Sequence, residues 1–355
     1  MKTTFEYTAL RDLREEPVFL EIAEVPADLT SFSANGRLFP ASPVKDGVLA
    51  VLTADKGETL VLSCGTEDCG FCTADVDAAA GTVALTAGNH RFAEYVYGSE
   101  FPKPHLGPIT DNSGNSFTRC DRMHKEHPHQ RSLIIAIGDV NGVDCWNEPV
   151  DSCGYVRNEK IYDVVSSTAY AAFTARNRWT DHDGNPLMTE DSRFTVYNQG
   201  EECRMLDLCI TFTADYGDVV FGPTKEAGPL GIRLRDELRA DIGKGILSNS
   251  RGGVGENECW GKEAEWCDYH GCLDGIGEMG VTVYDNPSNE RYPTAWHIRA
   301  YGLFAANNFH FKGGYTLKNG ESITYKYRIL FRRGEMTADE LFSRYEGYKA
   351  ETVCL

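Results

Sequence analysis

The sequence predicts an all-β protein, a large antiparallel β-sandwich with one C-terminal helix. Three observations carry this. Apolar and polar residues alternate with period two over long stretches, turn dipeptides separate those stretches, and only one segment repeats as a helix would. In Leu206-Asp207-Leu208-Cys209-Ile210-Thr211-Phe212-Thr213 the residues Leu206, Leu208, Ile210 and Phe212 share one face. Ile323, Tyr325, Tyr327, Ile329 and Phe331 repeat the pattern near the end. Similar strands are expected over 18–25, 48–53, 59–63, 82–86, 91–97, 162–179 and 188–197. Asp183-Gly184, Asn198-Gln199-Gly200 and Asn319-Gly320 supply turns between strands. The helix is expected after Thr337-Ala338-Asp339-Glu340, a capping box, with Leu341, Phe342 and Tyr345 as its apolar stripe. The glycine-rich stretch 243–280 interrupts the strand pattern and reads as a long loop, functional or partly disordered. Residues 1–90 are expected to form an N-terminal β region packed on the main sandwich, and residues 91–355 the sandwich that carries the site.

Composition narrows the function. With 355 residues, 41% apolar and 25% charged, the chain suits one large globular unit. A net charge of −18 repels phosphate backbones and anionic membranes, so neither nucleic acid nor a membrane is an expected partner; a neutral small molecule is. No apolar run is long enough to cross a bilayer, and the N-terminus lacks the apolar core of a signal peptide, so a cytoplasmic location is expected. Cys64, Cys69 and Cys72 have the C-x4-C-x2-C spacing of plant-type iron–sulfur proteins, but a loop that carries reduced thiols is the simpler reading.

Four stretches carry chemistry. In "EHPHQRSLIIAIGDVNGVDCWNE", residues 126–148, His127, His129 and Arg131 precede an apolar strand, while Asp139, Asn141, Asp144 and Trp146 follow it. Two residues apart in extended chain, the two imidazoles would point the same way, as suits an acid/base pair or a metal ion. A metal needs a third ligand, and His297 is the candidate, so a divalent metal on His127, His129 and His297 stays open. "FGPTKEAGPLGIRL" places Lys225 beside Glu226 at a strand end. "NSRGGVGENECWG" offers Asn249, Glu256 and Trp260 from a loop and lacks G-x-G-x-x-G spacing, so no nucleotide cofactor is expected. "PTAWHIRAYGLFAANNF" holds Trp296, His297, Arg299, Tyr301 and Asn307. Aromatic faces suit the C–H side of a sugar ring, and amides, guanidinium and carboxylates suit its hydroxyls.

These same four stretches resemble the bacterial PmoA-family proteins, over residues of about 91 to 345. The resemblance implies the β-supersandwich of galactose-mutarotase-like proteins, a sugar bound on the concave face of a large sheet, and a place in carbohydrate catabolism. Gln130 and His105 stand where the family commonly has a further histidine and an aromatic. The reading that follows is an enzyme acting on a sugar or glycoside by hydrolysis, elimination or epimerisation near the anomeric carbon. In it His127, His129, Arg131, Glu226 and His297 are catalytic, and Asp139, Asn141, Asp144, Trp146, Lys225, Trp260, Trp296, Arg299, Tyr301 and Asn307 bind substrate. A sugar-binding module without chemistry and a histidine-ligated metal oxygenase are the rivals, and assembly into a homo-oligomer stays open.

Overall fold

The computed structural model describes residues 4–121 and 123–350. They form three antiparallel sheets and a small two-stranded ribbon. The first is a six-stranded N-terminal sheet that begins at Thr4–Thr8 and ends at Thr59–Gly65, with its own core of Leu13, Val18, Phe32, Phe39, Val48, Leu52, Leu60 and Leu62. It ends at Gly65. The strands Thr73–Asp77, Thr82–Ala87 and His90–Val96 already belong to the sandwich, so the change of sheet falls about 25 residues before position 90.

The sandwich pairs two eight-stranded sheets. The site sheet runs, edge to edge, through Ala295–Ile298, Leu303–Asn307, Ala227–Arg233, Leu133–Ile137, His105–Leu106, His90–Val96, Thr82–Ala87 and Thr73–Asp77. The back sheet runs through Tyr155–Ser166, Tyr170–Thr180, Pro186–Tyr197, Cys203–Thr213, Ser322–Arg333, Gly277–Asp285, Trp266–Leu273 and Ile246–Asn249. Between them lies the main core. Leu206, Leu208, Ile210 and Phe212 meet Leu133, Ile135, Ile137, Leu230 and Ile232 there, which is the face the alternation predicts. The other face of the back sheet packs Tyr170, Ala172, Tyr197, Met205 and Leu330 against Leu49 and Val51 of the N-terminal sheet and against the C-terminal helix. The order of layers leaves the outer face of the site sheet free of other layers.

Three expectations change in detail. The strand expected over 162–179 is a hairpin, because Ser167 and Asn198 organise a turn between Tyr155–Ser166 and Tyr170–Thr180. The stretch 243–280 is not one loop but carries Ile246–Asn249, Trp266–Leu273 and the start of Gly277–Asp285. Trp266–Leu273 is covered on both faces, and one of them holds the buried ion pair of Asp268 with Arg332 at 2.6 Å, so no apolar–polar alternation marks it. The helix Ala338–Ala350 follows its capping box, with Thr337 N donating to Glu340 Oε2 at 2.7 Å. Its buried stripe is turned from the predicted one: Leu341, Arg344, Tyr345 and Tyr348 face inward, and Phe342 is exposed. Arg344 reaches Glu16 of the N-terminal sheet at 2.6 Å.

No helix among the described residues is long and apolar enough to cross a membrane. Asp181, at the turn after Tyr170–Thr180, accepts from the backbone and side chain of Asn185 at 2.8 Å each, as a hairpin turn requires.

Candidate functional site

The register of the site sheet puts one cross-strand row on its outer face. His297 pairs with Ala305, Ala305 with Gly231, and Gly231 with Ile134. Strand side chains alternate, so Trp296, Ile298, Phe304 and Ala306 point into the sandwich core, while His297 and its row point out. Ala305 and Gly231 leave a hollow in this row. Trp146 lies in it: a Cβ added at Gly231 would stand 2.7 Å from Trp146 Cη2, so only glycine lets the indole approach. Ile134, Ala136, Leu303 and Ala305 complete the small apolar cluster beneath that ring.

Over this floor is a cavity of about 190 Å³ lined by His127, Gln130, Trp146, Asn147, Lys225, Glu226, His297, Arg299, Tyr301 and Leu303. His127 and His297, 170 positions apart, share it. Of the residues singled out in the sequence, His127, Trp146, Lys225, Glu226, His297, Arg299 and Tyr301 are on its wall.

His127 is not in extended chain. Its φ is +50°, and its carbonyl accepts from Gln130 N at 3.0 Å, so His127-Pro128-His129-Gln130 is a β-turn with proline in its favoured second position. The predicted parallel pair is therefore broken: the two imidazole planes stand at 81°, with centroids 5.8 Å apart. His127 stacks on Tyr301, 4.8 Å between centroids and 9° between planes. Burial pulls its proton affinity below the usual histidine value, and Arg233 adds to this. His129 turns away to the ion cluster formed by Lys103, Arg131 and Glu148; burial, then Lys103, lowers its pKa to about 4. In that cluster Lys103 pairs with Glu148 at 2.7 Å, and Arg131 clasps the same carboxylate with both terminal nitrogens. Arg131 thus braces the wall from behind rather than facing the cavity.

His297 has one tautomer open to it. Trp260 Nε1, which can only donate, gives its hydrogen bond to His297 Nδ1 at 2.9 Å, so the proton of the neutral ring sits on Nε2. Burial lowers its pKa to about 3, with Arg299 and Lys225 contributing. At neutral pH it is a fixed hydrogen-bond donor. Trp260 stands behind His297 and is not on the cavity wall. Arg299 is held by Glu256, whose Oε1 lies 3.0 Å from Nε and whose Oε2 accepts from Ala300 N at 2.5 Å. Lys225 Nζ lies 3.5 Å from Glu226 Oε1.

The remaining residues singled out serve the framework. Asp139 accepts from Gly142 N at 2.8 Å, and Asn141 bonds Val220 N and Asp218 O across the ribbon. Asp144 accepts from Trp146 N and Asn147 N, which sets the indole over Gly231. Trp296 is in the sandwich core with its Nε1 donating to Ala264 O. Asn307 holds the Lys225 carbonyl at 2.9 Å. Asn249 organises its own turn by accepting from Arg251 N and Gly253 N. Parity could have separated Trp296 from His297; nothing local distinguishes a carboxylate that caps a turn from one that faces a ligand.

Sequence reasoning missed Gln130, Asn147 and Leu303 on the wall, and Arg233 behind it. Gln130 accepts from Arg233 Nη1 at 3.0 Å and hydrogen-bonds Tyr301. Arg233, 1% exposed, lies 4.8 Å from the Tyr301 ring centre. A charged residue on the same outward parity as Gly231 in "GPLGIRL" was the available signal. Among the described residues no three His, Cys, Asp or Glu side chains come together to hold a metal. His129 faces away from the cavity that His127 and His297 share, so the three-histidine ligand set does not assemble. The cysteines among the described residues are free thiols, and burial pushes Cys72 up to about 12.

A family model described as a family of unknown function, DUF6807, matches residues 82–346. The chain belongs to DUF6807. The matched span agrees closely with the 91–345 expected from the motifs, but the family it identifies is DUF6807, and membership of the PmoA family is not shown. Comparison with curated proteins gives no match. Among solved structures, this DUF6807 chain is similar to a GH36 α-galactosidase from Geobacillus stearothermophilus in complex with 1-deoxygalactonojirimycin, at 11% identity and a TM-score of 0.46, over 75% of this chain and 42% of that one. A galactose 1-epimerase from Lactobacillus acidophilus gives 10% identity and a TM-score of 0.35, over 75% and 99%. A TPR-domain containing protein from Parabacteroides distasonis gives 9% and 0.34, over 96% and 56%. The chain spans about two fifths of the α-galactosidases' length. None of these scores reaches 0.5, so the chemistry rests on the cavity itself.

Proposed function

We propose that this DUF6807 protein binds a single sugar ring in the cavity between His127 and His297 and moves protons on it, at or beside the anomeric carbon. The observation that carries the reading is the convergence of two imidazoles, one from a turn and one from a strand 170 positions away, with Glu226, over an aromatic floor, in about 190 Å³. That is below the roughly 300–1,000 Å³ of a drug-sized pocket and suits one ring. Trp146 in the floor and Tyr301 on the wall are the aromatic groups that border the ring.

The roles follow from the two neutral histidines and from the place of the one carboxylate on the wall. Glu226 is the base. His297, neutral with its proton on Nε2, donates to the sugar oxygen on which negative charge develops, and Arg299 and Lys225 orient the ring by its polar substituents. His127, neutral and stacked on Tyr301, is the second proton-transfer group. The free thiols support a reducing, cytoplasmic setting for the same reading.

The test is turnover on a panel of monosaccharides and glycosides with wild type, Glu226→Gln and His127→Gln. Each variant is expected to lower kcat by roughly 10²–10⁴ while it still binds the sugar. One specific observation favours a second reading, a binding module: a histidine whose pKa is lowered to about 3 does not titrate near neutrality. Sugar binding without turnover in the wild type would establish that reading. No binding to any sugar would overturn both.

A further inference from the structure

We infer that the ligand of this cavity carries a carboxylate, seated between the Arg299 guanidinium and the Lys225 ammonium, so that the substrate class is a sugar acid. This rests on the sugar reading above and narrows it.

The wall has an excess of donors that the protein leaves unused. Among the described residues, the nitrogens of Arg299 make no hydrogen bond; Glu256 is its ion-pair neighbour, with Oε1 3.0 Å from Nε. Lys225 Nζ has an ion-pair neighbour at 3.5 Å but donates no hydrogen bond. Trp146 Nε1 is buried on the wall without a partner, and Trp146 itself is 0% exposed. His297 Nε2 carries the only proton of its ring. Indole, ammonium and guanidinium can donate and cannot accept. On the acceptor side, Glu226 is the only carboxylate among the lining residues, and the Gln130 carbonyl is already engaged by Arg233.

Charge points the same way. With both histidines neutral, the wall holds two cations against one anion. Arg233 lies by Tyr301 with Nε and Nη2 buried and without a hydrogen bond, its nearest carboxylate being Glu126 at 3.9 Å from Nη2. Glu256 neutralises Arg299 from outside the lining, so what faces the cavity is two cationic side chains with unused donors, whereas the chain's net charge of −18 alone leads one to expect a neutral ligand. A guanidinium with both terminal nitrogens free fits a planar carboxylate as a two-bond fork. The sugar's remaining oxygens then accept from Trp146 Nε1 and His297 Nε2.

Calorimetry on the full chain at pH 7 tests this with glucuronate and galacturonate, their neutral methyl esters, glucose and galactose, and glucose 6-phosphate. One uronate is expected to bind at least tenfold tighter than its methyl ester and its parent sugar. Arg299→Gln and Lys225→Met are each expected to remove that preference and to keep the wild-type melting transition. A parent sugar or ester that binds as tightly as the uronate overturns the inference and leaves the sugar reading standing. Tighter binding of the phosphate ester overturns the carboxylate in favour of a phosphoryl group. A panel in which nothing binds overturns the sugar reading, and the inference with it.

Discussion

Gly231→Ala tests whether the floor of the cavity is built as described. The new methyl would stand 2.7 Å from Trp146 Cη2, 3.2 Å from Cζ3 and 3.3 Å from Ile134 Cγ1. Carbon atoms pack at about 3.5–4.0 Å, so the indole must rise by roughly 0.8 Å or more. It cannot do so freely, because Asp144 fixes the backbone on either side of its amide and Lys103 donates to its carbonyl at 2.8 Å. Overpacking of this kind costs about 1–3 kcal/mol, and alanine suits a strand slightly better than glycine, so a net loss of about 1–2 kcal/mol is expected. Urea unfolding followed by tryptophan fluorescence measures it. Since the displaced ring lines the cavity, sugar affinity should fall as well. A variant as stable as wild type, with unchanged affinity, would refute the placement of Trp146 over Gly231.

Three further outcomes are expected. Trp260→Phe removes the donor to His297 Nδ1 and frees that lone pair for a proton. The His297 pKa should rise above about 3 yet stay under 6.5, because burial still disfavours the charged ring; NMR titration reads it, and an unchanged value would remove the tautomer assignment. Asp268→Asn leaves Arg332 buried without its counter-charge, both residues being 1% exposed, and should cost about 3–5 kcal/mol in urea unfolding; a loss under 1 kcal/mol would contradict the buried pair. Glu190 accepts from Asn177, Ser192 and Trp179 inside the sandwich, and burial pushes its carboxyl from 4.5 up to about 6. The fold therefore favours the protonated form: that contribution is fully present below about pH 4.5 and is lost as pH rises through 6, by about 2 kcal/mol. Glu190→Gln should flatten this slope, and identical slopes in both proteins would exclude Glu190 as its source.

Part of the sandwich was legible because some strands bury one face more deeply than the other, as Thr82–Ala87 and the second half of Cys203–Thr213 do. The strands 203–213 and 322–333 pair along their full length, as their shared alternation requires, and the capping box starts the last helix where expected. Trp266–Leu273 was invisible for the opposite reason: it is buried on both sides, one of them against a charged pair. In the site, three of the four chemistry-bearing stretches supply seven singled-out residues to one cavity, and the fourth, 249–261, stands behind them through Trp260 and Glu256. The turn at His127 was misread because proline biases its neighbour toward extended chain, while here a closing hydrogen bond holds that neighbour at positive φ.

Composition and periodicity by themselves determined the all-β class, the antiparallel pairing and the C-terminal helix, because those depend on local sterics and on which residues avoid water. Which imidazole faces the cavity and which faces Glu148, which acids cap turns, and that a glycine in one strand makes room for a tryptophan from another loop were decided only by tertiary structure. The physical reason is distance along the chain. A hydrogen bond such as that from Trp260 to His297, or a cation set behind a ring as Arg233 is behind Tyr301, joins segments whose separation no local pattern encodes.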